Sequence, residues 1–289
     1  MSELSTVGVI GGSGLYELDG LTDVREVTLS TPFGAPSDAF VTGVLDGVRL
    51  VFLPRHGRGH RLPPSAIPYR ANIWGMKQLG VEFLIGFGAV GSLAEEIVPG
   101  HFVAVDQFVD RTRHRVDTFF DRDVVAHVMF ADPVCEELRQ VLRDAAREVG
   151  VTTHDGGTYV CMEGPQFSTR AESHLYRAWG CQVVGMTNLQ EAKLAREAEL
   201  AYATLAMATD YDCWHTGHDD VTVDAILAVM ARNVTAAKQI LTLAAPRAAR
   251  LGRVAAHDAL RGALLTAPRA ISADARLRLG LLLDRYLAQ

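Results

Sequence analysis

The chain has 289 residues, 48% of them hydrophobic and 21% charged. That is enough apolar material for a sizeable core, and it excludes an intrinsically disordered chain. A net charge of −6 argues against a general binder of nucleic acid or anionic membranes, and no stretch approaches the ~18–20 apolar residues of a membrane-spanning helix.

Short apolar runs bounded by Gly, Pro and Asp read as buried strands at Val7–Ile10, Val48–Leu53, Glu82–Phe87, Phe102–Gln107, Thr158–Cys161, Gln182–Gly185 and Ala201–Met207. Helix-period stretches fall between them at Tyr69–Leu79, Glu136–Val149, Arg170–Trp179, Leu189–Glu199 and Val223–Leu243. This interleaving predicts an α/β fold with a mainly parallel, mixed central sheet flanked by helices. From Pro246 onward the composition changes: eight Arg and no Lys stand against three Asp, a net of +5, while the preceding 245 residues carry −11. Leu279, Leu282, Leu283, Tyr286 and Leu287 form one helical stripe there. The expected organisation is a single domain, residues 1–245, with a helical C-terminal extension, residues 246–289. The opening MSELSTVGVIGG has no basic n-region and reads as lacking a signal peptide, so a cytoplasmic protein is expected. Cys135, Cys161, Cys181 and Cys213 are widely spaced without a CxxC pair, which suggests neither a disulfide framework nor a zinc cluster.

Ligands of open α/β sheets sit beyond the carboxyl ends of the strands. In this chain those ends are polar or glycine-rich: Gly11-Gly12-Ser13-Gly14, Arg55-His56-Gly57, Gly88-Ala89-Val90-Gly91-Ser92, Glu163-Gly164-Pro165, Met186-Thr187 and Thr209-Asp210-Tyr211-Asp212. The first lacks the third glycine of a dinucleotide fingerprint and the Lys-Ser/Thr of a Walker loop; it reads as a different phosphate loop or as a plain tight turn. Arg55 and His56, thickened by Arg58, His60 and Arg61, favour an anion, the rival being a surface Arg beside a turn-capping His. Asp210 and Asp212, two residues apart at a strand end, can accept from or share a proton with a heterocycle, or can simply form an aspartate-rich turn. A metal is a further rival, although no His or third carboxylate lies at ligand spacing, and His215 and His218 read as loop residues. Phe167 and Met186 suit stacking on a base or packing on a sugar, and each alone is as consistent with core.

Together these segments resemble the methylthioadenosine phosphorylase branch of the trimeric purine nucleoside phosphorylases. The resemblance is carried by Ile10-Gly11-Gly12-Ser13-Gly14, Thr31-Pro32-Phe33-Gly34, Arg55-His56-Gly57, Tyr69-Arg70-Ala71-Asn72-Ile73-Trp74 and Gly91-Ser92-Leu93. It continues in Asp106–Thr112, Glu163–Ser168, Met186-Thr187 and Ala208–Trp214, in family order over roughly residues 7–245. It implies phosphorolysis of 5′-methylthioadenosine to adenine and 5-methylthioribose 1-phosphate, with inorganic phosphate as co-substrate, no further cofactor and no metal. Ser13, Arg55, His56, Gly88, Ala89 and Thr187 would hold phosphate. Met186 would pack on the ribose, Phe167 and Ser168 would line the base site, and Asp210 and Asp212 would meet N7 and the amino group of adenine. His127 resembles the residue a neighbouring subunit lends to the 5′ pocket, and Val221, Val223 and Ile226 resemble its apolar wall; a homotrimer is implied. Two positions depart from the family pattern: Gly88 stands where a hydroxyl residue is usual, and Gly185 where many relatives carry Asn. The rival functions are a 6-oxopurine or methylthioinosine phosphorylase, a nucleosidase using water, and a binding protein without turnover.

Overall fold

The computed structural model of the protein describes residues 5–12, 14–215 and 223–287, with the side chains of 223–228 outside that description. Four strands run side by side and parallel at its centre: β1 (Thr6–Gly11), β4 (Val48–Pro54), β5 (Val81–Ser92) and β11 (Ala201–Tyr211). Their apolar residues are continuous rather than alternating because both faces are covered; Val7, Leu50, Phe83, Leu84 and Ile85 are all fully buried. Beyond β4 lie β3 (Phe40–Leu45) and β2 (Thr22–Val27), both antiparallel to their neighbours. Asp46 and Gly47 join β3 to β4 as a two-residue turn with both residues at positive φ, which matches the twist of a tight hairpin.

β5 outruns β1. Its first half lies between β1 and β11, whereas at Gly91 and Ser92 its other neighbour is β10 (Val183–Gly185), running antiparallel. From there the sheet divides. One arm passes through β10 and β9 (Thr158–Met162) to β7 (Gln107–Arg111), the other through β11 and β6 (Phe102–Ala104) to β8 (Thr153–Asp155). The run Phe102–Gln107, read in sequence as one strand, is therefore two, and the chain changes arms between them.

On one face α2 (Glu136–Val149) and α5 (Val223–Ala248) set Leu138, Leu142, Ile240 and Leu241 against Val9, Phe83 and Ile85. On the other, α1 (Tyr69–Gln78), α4 (Asn188–Glu197) and α6 (Ala273–Leu287) set Ile73, Leu194, Leu279, Leu282 and Leu283 against Ile10, Leu53 and Leu84. The short α3 (Arg170–Ala178) begins with a capping box between Thr169 and Glu172.

All five helices expected before the tail are present, and α5 continues to Ala248, so the boundary expected at 245/246 falls inside a helix. The tail stripe is as expected. Leu279, Leu282 and Leu283 are buried, Tyr286 and Leu287 pack on the same cluster, and Arg285 donates to Glu199 Oε2 (3.2 Å) and the His257 carbonyl (2.9 Å). One boundary is corrected: the strand expected over Glu82–Phe87 runs from Val81 to Ser92, so the glycine-rich segment Gly88–Ser92 is part of β5, held in the sheet by β11 despite its low strand propensity.

Since Leu283 is fully buried in the core beneath the α1/α4 face, Leu283→Ala should lower the unfolding free energy by roughly 2–5 kcal/mol. Denaturant unfolding checks this; a loss near zero would mean that the tail is not part of that core.

Candidate active site

β1 stops at Gly11 while β5 continues to Ser92. Beside the end of β1 lies Arg55, placed just past β4 by a backbone bond from its N–H to the Gly11 carbonyl (2.9 Å). The guanidinium is buried, with Nε and Nη2 on the two carboxylate oxygens of Glu191, Nη1 on the Phe87 carbonyl (2.8 Å) and Nη2 also on that of Ile10 (3.4 Å). Burial opposes its charge, and the adjacent Glu191 carboxylate more than restores it, so Arg55 stays cationic. Among the described residues, four of its five N–H groups have partners and one on Nη1 does not.

One nitrogen of His56 is already engaged. Its Nδ1 lies 2.8 Å from the Leu62 carbonyl, which can only accept, so Nδ1 carries the hydrogen and Nε2 is bare. Burial, with Arg55 nearby and His60 stacked at 4.2 Å, lowers its pKa to about 4 against the opposing bond to Leu62. The ring is neutral near pH 7, so Nε2 is an acceptor.

Gly88 and Ala89 lie in the part of β5 that β1 no longer covers. A Cβ at Gly88 would sit 2.7 Å from Asn188 Oδ1, so a carboxamide from α4 fills the space beside that position. Asn188 is fully buried; its Nδ2 donates to Tyr202 Oη (2.9 Å) and Thr204 Oγ1 (3.0 Å), and its Oδ1 has no partner among the described residues. The other departure, Gly185, has a similar origin. A Cβ there would overlap Tyr159 Oη at 2.0 Å, and that hydroxyl accepts the Thr187 N–H at 3.3 Å. Thr187 precedes α4 without capping it through its side chain. Met186 packs over the turn at Gly164, where a Cβ would meet its sulfur at 2.5 Å.

Asp210 lies on β11 just past an irregularity in the β5–β11 register, and Asp212 follows the strand end. Burial, seconded by Asp212, raises the Asp210 carboxyl from 3.8 to about 6, against a 2.6 Å hydrogen bond from Thr209 Oγ1. Burial also raises Asp212, opposed by the Ser173 and Ser168 hydroxyls, and its Oδ2 has no partner among the described residues. Ser168 is tied to this corner by its carbonyl, which accepts from Cys213 Sγ (3.3 Å), and the Phe167 ring is 65% exposed.

Not every predicted residue is brought here. Exposed His127 donates its backbone N–H to the Ala263 carbonyl in the tail (2.9 Å) rather than joining the contacts above. Ser13 and Val221 lie outside the described residues, as do the side chains of Val223 and Ile226. Sequence reasoning missed Glu191, Asn188, Tyr159 and Tyr202 altogether.

Comparison with known proteins agrees with the architecture. Residues 6–245 match the family model described as the phosphorylase superfamily. The chain is 61% identical to the S-methyl-5′-thioadenosine phosphorylase of Geobacter sulfurreducens over 282 residues, 97% of this chain and 99% of that protein. It is 56% identical to the Thermosynechococcus vestitus protein of the same name, over 97% of this chain and 99% of the other. Among solved structures, a methylthioadenosine phosphorylase from an antarctic soil metagenomic library superposes with a TM-score of 0.93 at 48% identity, covering 98% of this chain and 100% of that one. The Schistosoma mansoni methylthioadenosine phosphorylase in complex with adenine gives 0.84 at 38% identity, over 90% and 99%. By descent and by fold, the chain belongs to the phosphorylase superfamily and, within it, to the S-methyl-5′-thioadenosine phosphorylases.

Proposed function

We infer that the protein catalyses phosphorolysis of 5′-methylthioadenosine, giving adenine and 5-methylthioribose 1-phosphate. One observation carries the residue assignment: a carboxyl raised to about 6, Asp210, and a buried cation, Arg55, meet the same strand four residues apart, Asp210 paired with Gly91 and Arg55 donating to the Phe87 carbonyl of β5. Phosphate takes the Arg55 side, with the Ser13 loop, His56, the Gly88-Ala89 backbone and the Thr187 hydroxyl around it. The nucleoside takes the Asp210 side, its ribose against Met186 and its purine against Phe167 and Ser168.

Cleavage of the N-glycosidic bond builds positive charge on the ribosyl ring and negative charge on the leaving purine. Phosphate stabilises the first and forms the new bond to the anomeric carbon. Asp210 gives its proton to N7 as the old bond breaks, which neutralises the second. Holding phosphate and nucleoside together on one rigid strand turns a two-body encounter into a positioned one. Asp212 accepts from the 6-amino group, a role that a 6-oxopurine carbonyl cannot match. The same reading makes phosphate a co-substrate with no other cofactor, places the enzyme in cytoplasmic purine and methionine salvage, and gives it a homotrimer in which His127 of one subunit serves its neighbour. It also treats the chain beyond α5, which ends at Ala248, as a helical extension of the catalytic unit. The exposure of His127 and of Met129 supports an intersubunit role for that segment.

Adenine release from 5′-methylthioadenosine should require phosphate and should exceed hypoxanthine release from methylthioinosine. Release without phosphate would identify a nucleosidase, and a preference for methylthioinosine would overturn the reading of the aspartate pair. Asp210→Asn keeps the shape but cannot transfer a proton, so kcat should fall roughly 10²–10⁴-fold; a wild-type rate would end the leaving-group assignment.

A general acid works protonated, so the Asp210-dependent part of kcat/KM falls as pH rises through about 6. The Thr209 hydrogen bond favours the carboxylate; Thr209→Val removes it and should move that limb to higher pH. A pH profile of the variant with the limb unmoved would show that another group titrates there.

A further inference from the structure

We propose that Arg115 is a positioning residue whose guanidinium wedges apart the ends of β9 and β10 and so fixes the spacing between the purine side and the sugar and phosphate side of the site. This rests on the functional reading above and adds a residue that it does not use. The ladder between β9 and β10 closes with the pair Cys161 and Gly185. The next residues, Met162 and Glu163 on one side and Met186 on the other, no longer pair with each other across it. Backbone carbonyls that leave a ladder inside the protein need new donors. Arg115 supplies them: Nη2 donates to the carbonyls of Glu163 (2.7 Å) and Met162 (3.3 Å), and Nη1 donates to that of Met186.

The rest of its surroundings hold the guanidinium in that orientation. Nη1 also reaches Gln190 Oε1 (2.7 Å) and Tyr69 Oη (3.2 Å), and Nε reaches Glu163 Oε1 at 3.3 Å. Gln190 is fixed in turn by donating Nε2 to Thr112 Oγ1 (2.9 Å). The Arg115 side chain is 1% exposed, and its one carboxylate partner, Glu163, is 23% exposed. A planar fork with donors on diverging edges can bridge two backbones at a set distance; a lysine ammonium is a single point and cannot. Phe167 and Ser168 lie four and five residues beyond Glu163 on one lip, and Thr187 follows Met186 on the other. The wedge therefore aligns the purine held by one lip with the ribose and phosphate held by the other.

The test compares wild type with Arg115→Lys in three measurements: the Kd of adenine alone, the Kd of phosphate alone, and kcat with both substrates saturating. A spacer predicts both affinities within about threefold of wild type while kcat falls roughly 10–100-fold, because misalignment costs rate rather than separate binding. Millimolar guanidinium should restore part of the kcat of Arg115→Ala. A merely structural arginine would lose adenine affinity and thermal stability in step with kcat, and that outcome overturns the proposal, as does an unchanged kcat. If Arg115→Lys does not fold, Gln190→Leu leaves the arginine in place but frees its orientation. It should show the same pattern more weakly, and an unchanged kcat in that variant also overturns the proposal. Wild-type adenine release that ignores phosphate would instead overturn the functional reading, so the two failures are distinguishable.

Discussion

The candidate site is built beside a strand that must be bare at three positions. β5 has glycine at positions 86, 88 and 91, and each is closely approached by something the site uses. A Cβ at Gly86 would lie 2.5 Å from Tyr202 Oη, one at Gly88 2.7 Å from Asn188 Oδ1, and one at Gly91 3.3 Å from Asp210 Oδ2. Such a run is a poor strand former by itself, and glycine costs more conformational entropy on folding than any other residue. It is strand because β11 pairs with it along ten positions. The pairing delivers the benefit in the same step, since the strand that orders β5 is the strand that bears Asp210.

Two arginines with buried side chains, Arg55 and Arg115, are stabilised differently. Arg55 is paired with the carboxylate of Glu191, itself 2% exposed, so its charge is matched inside the protein. Burying such a pair does little for stability compared with apolar packing, because both ions lose their hydration. Its worth lies in a cation that is already desolvated and oriented before an anion arrives. Arg115 has mostly neutral carbonyl partners, which fix a geometry rather than balance a charge. One guanidinium thus offers charge and the other offers shape.

What sequence reasoning could and could not see follows from range. The buried parallel strands, the helices between them and the aspartate pair were legible because each is a local pattern with a direct physical meaning. β2, β7 and β8 were not: β2 is TDVREV and largely exposed, and β8 is three residues long, so neither shows an apolar run. The β3–β4 hairpin carried a readable signal in Asp46-Gly47 that periodicity alone passes over. Glu191 pairs with Arg55 across 136 positions, and Tyr159 reaches Thr187 across 28; no spacing rule announces such contacts. The charge state of His56 was equally hidden, because it is set by a carbonyl six residues on and by burial.

The aspartate pair shows why burial matters as much as residue type. Two exposed carboxylates would both be ionised at neutral pH and could only accept hydrogen bonds. Here desolvation raises both, and the neighbouring charge of Asp212 raises Asp210 further. Burial is the larger cause for each, so Asp210 holds a proton closer to neutrality than it would in water. On the proposed reading, one protonated and one ionised carboxyl give a donor and acceptors to the same ligand. An adenine edge asks for that combination, a donor for N7 and an acceptor for the amino group. On the proposed reading, the burial that makes Asp210 an acid is therefore also what lets the pair recognise a 6-aminopurine.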